Sequence, residues 1–386
     1  MTPHTKSGSN SRRWFPFAAI FLALSAVFLF FEISLRFFEE PRGGVPLHLF
    51  DRGSSYIYSL NPAHPEINSS GLRGPEFSLP KPGGVFRILL LGDSVTHGLF
   101  VSEEGTFARK LERLLNQQTD GTRFEVLNAG VNGYTLYNEL EYYKAKGAAF
   151  EADLVISVFC MNDVADPLAH WGNRKFARIE LPPGAVADTE YHRRVAVPAL
   201  NGEPSVSEKL LSRSSVYRFL KDRFEIIKKS NARYENLEGK RVPVYIADES
   251  PLKISILTDS NSREWQWVKR LYGDLSAAVK NQGAGFAIVV HPLAYQLEPG
   301  YPYLPQKLFK DYCALENLPC FDPLPYFREL GNLELYMGRH RYHENDIWHL
   351  SKEGHAKMAD LLLGFINEQG LLPVQRKESL PTEIQV

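Results

Sequence analysis

Apolar positions fall into three regimes along the 386 residues. From Trp14 to Phe31 the sequence WFPFAAIFLALSAVFLFF is continuously apolar and uncharged. Those 18 residues meet the lower length for a bilayer-spanning helix. Residues 39–84 are rich in Pro, Gly and Ser and carry no period, which predicts a linker docking on the domain that follows. From residue 85 onward, short apolar runs alternate with amphipathic stretches. Phe86–Leu91, Phe124–Asn128, Leu154–Cys160 and Phe286–Val290 are strand-like, as is a weaker run at Leu318–Asp322. Continuous runs of this kind, bounded by Gly, suit strands buried on both faces. Helices are predicted at Thr106–Asn116, Thr135–Lys146, Ser262–Gln282 and Gly354–Asn367, with Thr106 as an N-cap and Gly283 as a C-terminal stop. Alternating strands and helices imply an α/β fold, a parallel sheet with helices on both faces. Sites in such sheets lie at the carboxyl ends of the strands. Residues 165–255 break the alternation, although Ser214–Lys229 still has helical spacing. An insertion of this length predicts a lid. No internal repeat is present.

Charge gives the apolar stretch a direction. Lys6, Arg12 and Arg13 precede it, and no acid occurs in the first 31 residues. The positive-inside rule keeps the N-terminus cytoplasmic and sends the remainder across. A cleaved signal peptide competes, because Leu24-Ser25-Ala26 offers small residues. The residues after that point are Val-Phe-Leu-Phe-Phe, whereas a cleavage site is followed by polar sequence, so an uncleaved anchor is favoured. The expected organisation is a cytoplasmic tail at 1–13, a transmembrane anchor at 14–38, a docking linker at 39–84 and a catalytic domain at 85–370. A disordered tail follows at 371–386.

Composition narrows the function classes. Net charge is −1, so neither a nucleic-acid surface nor an acidic solvating tail is indicated. Eight of the 24 Phe lie in the first 40 residues, an excess that the anchor explains. Only three Cys occur, too few for a disulfide scaffold. In an oxidising compartment Cys313 and Cys320 can pair, leaving Cys160 as a buried structural thiol.

Candidate chemistry sits at the strand ends. Ser94 follows Gly92 and Asp93 where the first strand run meets a turn. A serine there can present its hydroxyl above the sheet, but needs a base. It can equally be the N-cap of a helix. Asp346 and His349, three apart, can meet at a turn entering a helix, the carboxylate holding one imidazole nitrogen while the other faces a serine. Asn162 and Gly133 follow the third and second strands and can donate hydrogen bonds to an oxyanion. Each also has a plain reading as a turn residue.

Taken together and in order, these segments resemble the SGNH/GDSL hydrolase family over roughly residues 85–370, as a membrane-anchored bacterial member. Ile88–Val95 resembles the first block, Asn128–Tyr134 the second, Phe159–Asp163 the third and Asp346–His355 the last. Residues 67–76 resemble the stretch preceding the first block in anchored members. The resemblance implies a flavodoxin-like three-layer α/β/α fold with no metal or cofactor. It implies Ser94 as nucleophile, His349 as base and Asp346 as its orienter, with the Ser94 and Gly133 N–H groups and Asn162 as oxyanion donors. Met161 departs from the Gly that the family often carries there.

Other polar residues were weighed against this set. His340, His343, His349 and His355 match no zinc template. His97 has no Asp spaced to orient it and is expected to line the pocket or lie at the surface. His291 is expected to pack a loop or contact substrate. Asp93 and Asp163 are expected to support their catalytic neighbours by hydrogen bonding. Trp265 and Trp267 are expected to be core and surface on one helix. The expected activity is a serine esterase acting on an O-acylated envelope glycan or lipid. Alternatives are an O-acyltransferase with the same residues, or a non-catalytic envelope assembly or binding protein. No nucleic-acid partner is expected.

Overall fold

The computed structural model describes residues 11–38, 45–50, 54–118, 121–164, 206–211, 213–217, 219–220, 223, 234–237, 240–243, 260–261, 263–297, 305–330, 335–340 and 343–373. They form two units, one of residues 1–44 with 203–231 and one of residues 45–202 with 232–386. The expected terminal tail lies outside the described residues beyond 373, as does most of the 165–255 insertion.

In the first unit the apolar stretch forms one helix, α1 (Ser11–Phe38). Pro16–Arg36 has a mean hydropathy of 2.3 and is long and apolar enough to cross a membrane. Its apolar side chains, including Phe21, Leu22 and Phe30, are exposed to more than 60%. Glu32 departs from that pattern. It is buried and pairs with Arg36 one turn on, at 2.9 Å. The short helix Val206–Leu211 belongs to this unit.

In the second unit, the docking segment carries a small antiparallel pair, β1 (His48–Phe50) and β2 (Tyr58–Leu60). The apolar runs then build one sheet. β3 (Val85–Gly92) leads into the single-turn helix α2 (Ser94–His97) and then α3 (Phe107–Gln117), capped by Thr106 as expected. β4 (Arg123–Gly130) leads to α4 (Leu136–Ala145), and β5 (Leu154–Phe159) follows. After the insertion come α5 (Arg263–Asn281), β6 (Gly285–Val290), α6 (Pro305–Glu316) and β7 (Cys320–Phe321). α7 (Leu324–Leu330) precedes the hairpin β8 (Tyr336–His340) and β9 (His343–Leu350), and α8 (Lys352–Glu368) closes the domain.

The sheet order is β4-β3-β5-β6-β7, all parallel. Ranked by sequence this is 2-1-3-4-5, the flavodoxin-like order, whose switch point lies between β3 and β5. The pleat sorts the strand side chains between two layers. Leu89 and Leu91 join α4, α5 and α6 through Leu140, Leu275 and Phe309. Ile88 and Leu90 join α3 and α8 through Leu111 and Leu362. Full burial of a Leu side chain contributes about 1.5–3 kcal/mol, so β3, an interior strand of the sheet, is strongly held. The three-layer α/β/α fold is thus present.

Three local expectations change. The weak run at Leu318–Asp322 yields only a two-residue edge strand. Trp267 is buried rather than at the surface, because its ring stacks on Tyr137 of the neighbouring α4. Asp346 and His349 lie along β9 rather than in a turn, because β9 pairs with β8 through Gly338↔Asp346 and Tyr336↔Leu350. The helix starts only after Ser351, whose side chain accepts from Gly354 N. Cys313 and Cys320 are disulfide-bonded, with Cα atoms 6.1 Å apart, and Cys160 is buried outside that disulfide.

Candidate active site

The site begins where β3 stops at the switch point. Asp93 takes the N-cap role, accepting from Val95 N at 2.8 Å. Ser94 is therefore the first helical residue rather than the cap. Its hydroxyl meets Nε2 of His349 at 2.8 Å, across a sequence separation of 255. The edge of Phe100 faces the His349 ring, 5.3 Å between centroids and 88° between planes. Phe100 itself has φ 74, a costly conformation for an aromatic residue. Nε2 of His291 donates to the carbonyl of Trp348 at 2.8 Å, so His291 is fully buried under the strand that carries His349.

α2 is held against β4 by polar clamps. Asn128 Nδ2 donates to Thr96 O at 2.9 Å. Arg73, 4% exposed, donates to His97 O, Gly98 O and Val101 O at 2.9, 2.7 and 2.8 Å, and pairs with Glu66 at 3.0 Å. Gly130 permits this close approach, because a Cβ there would lie 2.2 Å from His97 N. His97 Nδ1 donates to Gly130 O at 3.2 Å, and burial, with Arg73 nearby, pushes its imidazole down to about 3. His97 is thus a buried neutral donor on the backbone of β4, neither a pocket wall nor a competing base. His355 is likewise pushed down to about 3 by burial, accepting from Phe107 N at 3.2 Å.

Gly133 lies in the turn after β4, at φ 77, a left-handed conformation that a side chain would strain. The turn is tied down from the docking segment. Tyr58 donates its hydroxyl to Asn132 O at 3.0 Å, and Tyr134 donates to Tyr58 O. Asn162 lies in the 3-10 turn Met161–Val164 directly after β5, and its side chain is outside the described residues. The side chain of Asp346 is also outside them. The structure therefore brings Ser94 and His349 into contact and sets Gly133 and Asn162 after the neighbouring strands.

Beneath the strand ends lies a group of buried acids. Asp163 Oδ2 accepts from Cys160 N at 2.7 Å, and Ser157 Oγ donates to Glu139 at 2.9 Å. Burial pushes the Glu139 carboxyl up to about 8, and the nearby Asp93 charge adds to it. Burial raises Asp163 in the same way, with Glu139 and Asp93 reinforcing it. One oxygen of each, Glu139 Oε1 and Asp163 Oδ1, has no protein partner. Among the described residues no group of three His, Cys, Asp or Glu could hold a metal ion.

Residues 90–181 match the family model described as GDSL-like Lipase/Acylhydrolase, a span that contains Ser94, Gly133 and Asn162. Over that span the chain is similar to the GDSL-like lipase/acylhydrolase family. No curated protein matches it. Solved structures similar to this chain include that of TesA, at 13% identity and TM-score 0.38, covering 74% of this chain and 99% of that one. A catalytic mutant of Axe2, an acetylxylan esterase from Geobacillus stearothermophilus, is 13% identical with TM-score 0.41, covering 73% and 94%. LAE5, an alpha/beta hydrolase enzyme from the metagenome of Lake Arreo, Spain, is 12% identical with TM-score 0.42, covering 75% and 96%.

Sequence reasoning missed three supports of this site: Arg73, Tyr58 and Glu139. For Arg73 a signal existed, since it lies in the 67–76 stretch already set apart. For Tyr58 and Glu139 there was none, because each acts across more than 15 residues on a backbone or side-chain group.

Proposed function

We propose that the chain is a membrane-anchored serine esterase. The observation carrying this reading is the Ser94 Oγ to His349 Nε2 contact of 2.8 Å at the switch point. Ser94 attacks the ester carbonyl while His349 takes its proton. His349 then protonates the leaving alcohol, and water resolves the acyl-enzyme by the reverse sequence. Asp346 holds the imidazole tautomer. The oxyanion is held by the Ser94 and Gly133 N–H groups and the Asn162 amide. As first residue of α2, Ser94 has an N–H with no acceptor inside the helix. Each such donor contributes about 2.7–4 kcal/mol to the transition state.

The substrate we propose is an O-acylated envelope glycan or a lipid ester. The N-terminal helix, long and apolar enough to cross a membrane, supports a site tethered to a membrane, and the Cys313–Cys320 disulfide suits an oxidising compartment outside the cytoplasm. The catalytic domain is then extracytoplasmic, with residues 1–13 inside.

A fluorophosphonate probe tests the nucleophile. The full chain labels and Ser94→Ala does not; equal labelling of both overturns the reading. His349→Ala is expected to lower kcat by about 10⁶-fold with KM little changed, as for loss of the general base in a triad. Acyl release measured with and without a sugar acceptor separates hydrolysis from transfer.

A further inference from the structure

Glu32 is the one buried carboxylate on an otherwise apolar, exposed helix, and its partners lie far away in sequence. Besides Arg36, it accepts from Ser214 Oγ at 2.8 Å, Ser215 N at 2.9 Å and Val216 N at 3.1 Å. Ser215–Tyr217 is helical, so Glu32 supplies from α1 the N-terminal cap of that turn. The insertion is thereby fastened to α1 at the end of its apolar span, Pro16–Arg36.

The fastened segment carries apolar groups on its outside. Leu210, Leu211, Phe219 and Leu220 are 64%, 48%, 42% and 59% exposed. In sequence they are interleaved with cations. Residues 206–229 hold seven Lys or Arg against three Asp or Glu, a net +4 in a chain of net −1. The guanidinium of Arg223 lies 5.2 Å over the Phe219 ring. Exposed large apolar residues interleaved with basic ones are the composition of a helix that lies in a bilayer interface. On α1, Phe28, Phe31 and Ile33, within four residues of Glu32 in sequence, are about half exposed as well.

We infer that residues 206–223 form a second membrane contact, an interfacial element seated on anionic lipid beside the anchor and held there by Glu32. This rests on the reading of α1 as a membrane span. Glu32 and Arg36 mark where α1 leaves the hydrocarbon, so the groups bonded to Glu32 lie at headgroup depth. Leu210, Leu211, Phe219 and Leu220 enter the acyl boundary, while Arg213 and Arg223 meet lipid phosphates.

The test uses the full chain in vesicles of phosphatidylcholine with phosphatidylglycerol. The native cysteines are buried or disulfide-bonded, so a single introduced cysteine takes an environment-sensitive fluorophore selectively. Phe219→Cys and Leu220→Cys report on the segment, and Phe31→Cys reports on the anchor. Lipid carrying a nitroxide near the headgroup is expected to quench all three. Quenching at 31 with none at 219 and 220 overturns the interfacial element and leaves the anchor standing. Absence of quenching at all three overturns the anchor, and this inference with it. Blue-shifted but unquenched emission at 219 assigns the face to protein and overturns the lipid contact. Glu32→Ala is expected to reduce quenching at 219 while leaving it intact at 31; unchanged quenching at 219 overturns the role of Glu32. Replacing phosphatidylglycerol with phosphatidylcholine is expected to weaken quenching at 219 and 220; equal quenching overturns the preference for anionic lipid.

Discussion

The Arg73 guanidinium serves three carbonyls at the far end of the turn that begins with Ser94. A nucleophile moved by about 1 Å can lose about 10²-fold in rate. Lysine keeps the charge but cannot span three acceptors with a planar fork. Arg73→Lys is therefore expected to lower kcat by up to about 10²-fold with KM nearly unchanged, measured in steady state on a small ester. A parallel loss in KM would mean that Arg73 shapes the pocket instead. Glu139 makes a prediction of a different kind. Its folded-state pKa of about 8 lies above the ordinary 4.5, so the unfolded chain sheds that proton first. Stability from this group is complete below the ordinary value and declines as pH rises to about 8. Glu139→Gln keeps the acceptor for Ser157 and removes the ionisation. Relative to wild type, its urea midpoint should rise between pH 5 and pH 8 and change little below pH 4.5. A constant difference across that range would show Glu139 to be ionised in the folded protein.

At the scale of elements, the turn after β4 joins a sequence signal to a tertiary one. Gly133 sits at φ 77, where an added Cβ costs about 1–2 kcal/mol. Gly133→Ala should lower the unfolding midpoint by that amount, and esterase activity by more than the stability loss accounts for, since the N–H it aims would shift. Calorimetry and kinetics on one preparation check both. The elements easiest to foresee were those whose signal is local. β3 and β5 are continuous apolar runs, and α5 has its apolar residues at helical spacing. Thr106 caps α3, an arrangement settled within one turn. A helix beginning beside Ser94 is one of the two sequence readings, but four residues carry no period to fix it, and the cap is Asp93 rather than Ser94. The strand geometry of Asp346 to His349 was hidden for a related reason. Its extended form depends on pairing with Tyr336–His340, a polar hairpin with register shifts. Helix period alone puts Trp267 at the surface, because it carries no information about Tyr137 on the adjacent helix. The contact of Ser94 with His349, across 255 residues, became legible only through the resemblance of the motifs and not through spacing.

For the whole molecule, the average charge of −1 joins two unlike regions. One is a parallel α/β domain whose polar chemistry is concentrated at the strand ends. The other is α1 with the basic segment fastened to Glu32, where cations and exposed apolar groups alternate. This division bears on whether α1 stays attached. A cleaved signal sequence has no reason to keep a structural bond with a segment 182 residues later, yet Ser214 Oγ donates to Glu32. Residues 27–31 also continue apolar beyond the small-residue stretch Leu24-Ser25-Ala26. An N-terminal epitope tag is therefore expected to remain on the same polypeptide as the fluorophosphonate-labelled Ser94. That polypeptide should resist extraction by alkaline carbonate, and protease added to right-side-out vesicles should reach the domain but spare the tag. A labelled product that is shorter than full length and released from the membrane would overturn the anchor, and would require Glu32 to lose its partners once the protein matures.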